Sequence, residues 1–318
     1  MTYLEFPFKD KTLKIDSYLA DTLASVAYNV EDDWDVVILV TGNRTVRTGK
    51  SVMAMTIAAF IAYLLKKLKI NEDAFKEENI FFDGAKMLDK AQSMKYSVIV
   101  MDEARESLAA SKSSMQMQQS ILDFFTECGQ LRNIFIVVLP DFFDLKEMIA
   151  IPRSEFLVNV YREDRTVHKD YMGDGNKRAV TLFGRGFFKL YNRHAKTMMY
   201  DFFRTTRRKD YHTIRPSFPA GRFQLQYPFE ESKYREMKKE SLERFKERQE
   251  EKAKRPNKRD IETTRKLKIA VEMMQEKGIR QQEIADRMDV GRAQVAQIKR
   301  GVSPLFDKKK DTGFVKVN

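Results

Sequence analysis

The chain has 318 residues, of which 58 are Lys or Arg and 46 are Asp or Glu, a formal net charge of +12. Residues 1–200 hold 27 basic and 27 acidic side chains, so the whole excess lies in residues 201–318, the pattern of a neutral core joined to a polyanion-binding part. A hydrophobic content of 42% and an aromatic content of 11% exclude a disordered chain, and the single Cys128 excludes an internal disulfide framework.

The histidines His168, His194 and His212 are scattered, with no Cys/His metal spacing. The opening segment MTYLEFPFKD lacks an apolar signal core. The longest apolar run, from Val52 to Leu65, is 14 residues, short of the ~18–20 that span a bilayer. The expectation is a soluble, cytoplasmic protein of roughly two domains.

In chain order, the β-branched run Val36–Val40 predicts a strand buried on both faces. A loop follows, then a long apolar helix from Ser51 to Lys67. Ile80–Phe82 predicts a short strand, Gly84–Gln92 a helix, and Ser97–Met101 another buried strand. A long helix is expected over Ala104–Gln130, then a strand over Ile134–Leu139 stopped by Pro140. A short helix over Phe142–Ala150 and a strand over Phe156–Tyr161 complete the alternation. Strands alternating with helices imply a parallel sheet covered on both faces, with ligands at the carboxyl ends of the strands.

Further β-rich runs, at 179–183, 186–191 and 197–200, with a turn cluster from Met172 to Asn176, predict a small antiparallel appendage at the sheet edge. Its interleaved aromatics and cations, Phe187, Phe188, Lys189, Tyr191 and Arg193, suit an ordinary half-buried sheet better than a base-stacking platform. Arg204, Arg207, Arg208 and Lys209 form a basic cluster. Glu230–Lys254 reads as a charged helix, and Lys252 to Arg259 as a basic linker around Pro256.

Three shorter helices are expected beyond it, over Thr263–Lys277, Arg280–Met288 and Arg292–Lys299. The last two resemble a helix-turn-helix. Ala285 is small where the helices would cross, Ile284, Met288, Val290, Val295 and Ile298 would bury the shared face, and Asp289 tolerates the turn backbone. The second helix would present Arg292, Gln294, Gln297 and Arg300 to base edges, with Lys299 and Lys308–Lys310 on phosphates. A generic bundle for protein contact is the alternative.

The loop after the first core strand runs Gly42-Asn43-Arg44-Thr45-Val46-Arg47-Thr48-Gly49-Lys50-Ser51. Gly-Lys-Ser opening a helix directly after a buried strand is the core of a phosphate-binding loop. Gly49 keeps the approach clear, backbone N–H groups from Gly42 through Thr48 and Gly49 face the phosphates, Lys50 meets the β- and γ-phosphates, and the Ser51 hydroxyl faces Mg²⁺. Arg44 stands where the usual spacing has glycine, and Gly42 comes two residues earlier. Arg47 adds a charge for a phosphate or a neighbouring subunit. The strand Ser97–Met101 ends in Asp102-Glu103. Asp102 would share the Mg²⁺ with Ser51, and Glu103 would polarise the attacking water.

These motifs, with an extra strand between them, resemble the additional-strand, catalytic-glutamate P-loop ATPases over about residues 35–162. Gln130-Leu131-Arg132-Asn133 running into an apolar strand is similar to FtsK/HerA-type and related viral or mobile-element DNA motors. The resemblance implies ATP hydrolysis with Mg²⁺, a homo-oligomeric ring, and double-stranded DNA as partner. By the same analogy Arg132 would reach a neighbour's γ-phosphate as an arginine finger; as a surface cation it would instead suit a helix C-terminus. The fourth strand of those families ends in a polar sensor such as glutamine, and Leu139-Pro140-Asp141 occupies that place here. Arg105 and Arg153 are further candidates for the finger.

The expected architecture is α/β: a P-loop NTPase core with a β-rich appendage over 1–202, a basic helical linker over 203–259, an all-α helix-turn-helix domain over 260–303 and a basic tail over 304–318. The expected function is an ATP-driven motor that translocates or packages DNA. The alternative is an ATP-gated DNA-binding regulator without translocation. A small-molecule kinase leaves the Asp-Glu pair and the C-terminal motif without a use, and no spare acidic cluster after residue 165 suits the nuclease of a full terminase.

Overall fold

The structure, a computed structural model, describes residues 2–42, 47–102, 121, 123–125, 128–254, 258–288 and 292–299, with only the helical path over parts of 242–265. It divides into one unit, Met1–Ser241, and a second, Leu242–Asn318.

In the first unit an antiparallel hairpin, β1 (Tyr3–Phe8) and β2 (Lys11–Asp16), leads into helix α1 (Ser17–Glu31). Asp16 makes the transition, its carboxylate accepting from the backbone N–H groups of Tyr18 and Leu19 at 3.0 and 3.4 Å. That satisfies two donors which the helix geometry leaves open. Strand β3 (Val36–Gly42) follows, then α2 (Lys50–Lys67), β4 (Ile80–Phe81), α3 (Gly84–Ala91), β5 (Val98–Met101) and β6 (Ile134–Val138). The remaining elements are the long strands β7 (Ser154–Lys169) and β8 (Arg178–Tyr191), helix α4 (Arg193–Thr206), strand β9 (Phe218–Arg222) and helix α5 (Glu231–Lys254).

Seven strands form one sheet in the order β4-β5-β6-β3-β7-β8-β9. The five from β4 to β7 pair in parallel, and β8 and β9 add antiparallel. Every residue of β3 is buried, as a strand covered on both faces must be. The alternation of side chains divides it between two cores. Val36, Ile38 and Val40 pack with α1, α2 and the N-terminal hairpin, whereas Val37 and Leu39 pack with α3, α4 and the aromatics Phe124, Phe125 and Phe135. Helix α2 is apolar nearly all round because it lies between sheet, α1 and the hairpin.

The α/β class and the mostly parallel sheet agree with the sequence reading. Several local expectations do not. The run at 197–200 is helical: Ala195, Lys196, Met199 and Tyr200 are buried at helical spacing, and the Asn192 side chain caps the helix by accepting from the Ala195 N–H at 3.0 Å. The runs at 179–183 and 186–191 are one continuous strand where two were expected, and with β9 it adds antiparallel to the edge of the main sheet, as expected. The short helix expected over 142–150 is two separate turns, Phe142–Asp144 and Ile149–Arg153. Residues 203–241, expected within a linker, pack into the first unit: Tyr211, Phe223, Phe229 and Tyr234 are all buried there. Most of the helix expected over 104–130 lies outside the described residues.

In the second unit α6 (Lys258–Glu276), α7 (Gln281–Arg287) and α8 (Arg292–Lys299) follow the end of α5. Val271, Ile284, Ala285, Val295 and Ile298 form their buried cluster, edged by Leu267, Met274, Ile279 and Met288. No helix among the described residues is long and apolar enough to cross a membrane.

Candidate functional site

The parallel strands all end on one edge of the sheet, which brings Gly42, Asp102 and Asp141 to the same side. Gly42 closes β3. A Cβ at Gly42 would stand 3.1 Å from the Val160 carbonyl and 3.2–3.3 Å from the Lys50 side chain. The early glycine therefore has a role: it leaves room for Lys50 to fold back across the end of the strand. Residues 43–46, including Arg44, lie outside the described residues. Arg47 has a left-handed backbone, φ 60°. Thr48 is buried, and its Oγ1 has no hydrogen-bond partner among the described residues. Gly49 is the N-cap of α2 with φ 100°, a conformation that L side chains rarely adopt. Lys50 and Ser51 then open the helix, whose N-terminal N–H groups and dipole favour an anion.

Asp102 follows β5 and is almost fully buried. Its N–H donates to the Phe81 carbonyl at 2.8 Å, which ties it to the added strand β4. Its carboxylate accepts a hydrogen bond from the Tyr234 hydroxyl of α5, and the Lys238 ammonium, one turn further on, stands 3.7 Å from the same oxygen. Ser51, which opens α2, and Asp102, which follows β5, lie on the same edge of the sheet. Burial and the neighbouring Asp102 carboxylate push the Tyr234 phenol well above the ordinary tyrosine range. Ser51 opposes that upward push on the phenol.

Asp141 follows β6 and is buried. It accepts from the Tyr211 hydroxyl at 2.8 Å and from the Phe143 N–H at 3.2 Å, and Lys209 lies 3.5 Å away. The Phe142 N–H donates to the Tyr211 oxygen at 2.7 Å. Burial and Asp141 raise the Tyr211 phenol well above its ordinary range. The acid at the end of the fourth core strand is therefore held rigidly.

Arg132 is not brought to this edge. It precedes β6, at the opposite end of the parallel strands, where it pairs with Asp33, donates to the Tyr96 hydroxyl and lies over the Tyr96 ring. Arg153 is likewise at the far end, paired with Asp35. Glu103 and Arg105 lie outside the described residues. On α8, Arg292 and Lys299 are exposed, Gln294 and Gln297 are half-buried, and Val295 and Ile298 face the bundle core. Arg300 and Lys308–Lys310 lie outside the described residues.

The donor set fits a magnesium nucleotide. A left-handed glycine before a helix N-terminus, a Thr48 hydroxyl with no partner among the described residues, a lysine folded over the strand end, and the Ser51 hydroxyl and buried Asp102 carboxylate on the same sheet edge are groups that would suit phosphates and a hard cation. The residues that sequence reasoning missed are Tyr234, Lys238, Phe223 and Leu225. The available signal was Tyr234 itself, an aromatic in the first turns of a helix with few apolar anchors.

No family model matches the chain, and no curated protein matches it. Among solved structures, the DNA-packaging ATPase B204 from Sulfolobus Turreted Icosahedral Virus is similar at 12% identity and a TM-score of 0.30, covering 52% of this chain and 94% of that one. The N-terminal domain of zonular occludens toxin from Neisseria meningitidis is similar at 13% identity and a TM-score of 0.32, covering 61% and 95%. C. elegans PCH-2 is similar at 13% identity and a TM-score of 0.32, covering 46% of this chain and less than half, 42%, of that one.

Proposed function

We propose that the chain binds and hydrolyses ATP at the carboxyl ends of β3 and β5 and uses the cycle to move double-stranded DNA as an oligomeric motor. The observation that carries this reading is the placement of left-handed Gly49, Lys50 and Ser51 at the N-terminus of α2 on the same sheet edge as the buried Asp102 that follows β5. Lys50 and the N–H groups through Gly49 hold the phosphates, with Arg47 and Thr48 alongside. Ser51 and Asp102 hold the cation. Bound Mg²⁺ would neutralise charge on the phosphate oxygens. Glu103 would orient and deprotonate the water, and Asp141, fixed by Tyr211, would be the polar group facing the reacting phosphate. Arg132, far from its own site, would act in a neighbouring subunit's. Helices α7 and α8 would dock duplex DNA through Arg292, Gln294, Gln297, Lys299 and Arg300.

A second reading, an ATP-gated DNA-binding regulator, is favoured by the engagement of Tyr234 and Lys238 with the same site. One experiment separates the two: ATP turnover with and without duplex DNA, followed by displacement of a triplex third strand. The motor displaces the third strand in an ATP-dependent reaction, and the regulator does not. In either case Lys50→Ala lowers turnover by at least about a hundredfold and leaves duplex binding intact. Undiminished turnover in that variant would remove the nucleotide site from residues 42–51.

A further inference from the structure

We propose that Tyr234 and Lys238 form an intramolecular latch that occupies the cation position of the nucleotide site, so that a divalent cation–nucleoside triphosphate complex binds by displacing the start of α5. The inference rests on the nucleotide-site reading above. The Tyr234 hydroxyl donates to the Asp102 carboxylate, so the phenol already engages the acid expected to hold the cation. Magnesium needs near-octahedral oxygens at about 2.0–2.1 Å, and the Asp102 oxygen it would use is taken by the phenol. Lys238 adds the charge. Its ammonium, 3.7 Å from the Asp102 carboxylate, puts positive charge beside the buried acid, as a bound metal would.

The latch is continuous with a strap across the phosphate loop. Beyond β9, Phe223 and Leu225 lie so close to Gly49 that a Cβ there would be 3.1 Å from the Phe223 ring and 2.7 Å from Leu225 Cδ2. The strap is anchored firmly. The Phe223 N–H donates to the Gly186 carbonyl at 2.9 Å, and Lys11 donates to the Tyr227 and Phe229 carbonyls at 3.0 and 2.8 Å. Phe229 packs on Phe8 and Phe75 with ring centroids 5.6 and 5.1 Å apart. The first turns of α5 are held differently. Of residues 231–238 only Tyr234 is buried, its ring against Phe82 and Tyr227 at 5.9 and 5.3 Å. The strap can therefore stay in place while the helix start, which reaches the site through Tyr234 and Lys238, is released. That helix is also the covalent connection to the second unit, so the cation–nucleotide complex would change the freedom of the chain leading to α7 and α8.

A latched site binds its ligand with an affinity reduced by the fraction of molecules that are open. Tyr234→Phe keeps the ring packing and removes the hydroxyl, and Lys238→Met keeps the stem and removes the charge. Binding of a non-hydrolysable fluorescent ATP analogue to the full chain is measured in Mg²⁺ and in EDTA, with Lys50→Ala as reference. In Mg²⁺, Tyr234→Phe is expected to bind about tenfold more tightly than the parent, the size of one hydrogen bond to a charged group, and Lys238→Met also more tightly. In EDTA the gain disappears, because the latch competes with the cation. Hydrogen exchange over residues 231–238 is expected to speed up when Mg²⁺ and the analogue are added to the parent chain. Parent-level or weaker binding in both variants, or unchanged exchange on saturation, would overturn the latch and leave the nucleotide site standing. If the parent and both variants bind no analogue and Lys50→Ala makes no difference, the nucleotide site and the latch fall together.

Discussion

Gly49 and Lys196 show how single side chains define this core. Gly49 has φ 100° and ψ 18°, and its missing Cβ leaves space that Leu225 and Phe223 fill. Gly49→Ala would force a left-handed alanine, costing about 1–2 kcal/mol, and would press on the end of the Leu225 side chain, which can rotate away. The expected result is a loss of that size in chemical denaturation together with much weaker nucleotide binding. Unchanged stability would show that the loop readily adopts another backbone. Lys196, fully buried on α4, gives its ammonium to the carbonyls of Ala150 and Ser154 and to the Ser154 hydroxyl. It thereby satisfies backbone groups around the irregular turn Ile149–Arg153. Burial pushes this ammonium down to about 7, with Glu155 favouring and Arg193 opposing the charge. The unfolded value is about 10.4. Between the two, the unfolded chain holds a proton that the folded chain has lost, so this residue makes stability rise as pH increases from about 7 towards 10. Below 7 both states are charged and the contribution is flat. Denaturation of the parent against Lys196→Met across pH 6–10 should show a rising parent curve relative to the variant; parallel curves would mean that the ammonium stays protonated in the fold.

At the level of elements, β3, the loop and α2 were legible because each carries its own local signal. A β-branched run, a Gly-Lys-Ser turn and an unbroken apolar stretch need no distant partner to be read. That Ser51 and Asp102 share an edge was also legible, since each lies beyond the carboxyl end of a parallel strand of one sheet. The N-terminal hairpin was not. Its strands are short and carry Lys9, Asp10 and Lys11 at the turn, and only Phe6, Phe8, Leu13 and Ile15 mark a buried face. Thr197–Tyr200 misled because Thr, Met and Tyr suit strands locally, whereas the cap at Asn192 and the burial of Ala195, Met199 and Tyr200 on one side of a helix decide the outcome. The role of Tyr234 could not be read along the chain. Its partner Asp102 is 132 positions away, and a contact of that separation leaves no periodicity behind. Arg132 belongs to the same class: its place at the start of β6 was clear, but the far-end pairing with Asp33 and Tyr96 is visible only once the sheet is assembled.

For the whole molecule, the charge asymmetry sets the strongest test of the DNA reading. The +12 excess lies beyond residue 200, and α8 in the second unit exposes Arg292 and Lys299 at opposite ends while burying Val295 and Ile298. A helix seated in the major groove uses such residues differently. Lys299 on a phosphate would release a condensed counterion, and Arg292 on a base edge would release none. Lys299→Ala is therefore expected to weaken every duplex alike and to make the plot of log affinity against log salt shallower by about 0.9. Arg292→Ala is expected to leave that slope nearly unchanged and to cost about 1–3 kcal/mol on a preferred site alone. Salt titrations of the full chain against two unrelated duplexes and one selected site give both quantities. If neither substitution changes affinity or slope, α8 is not the DNA surface. If both change the slope equally and neither changes preference, the helix contacts only the backbone and the sequence reader must lie elsewhere in the chain.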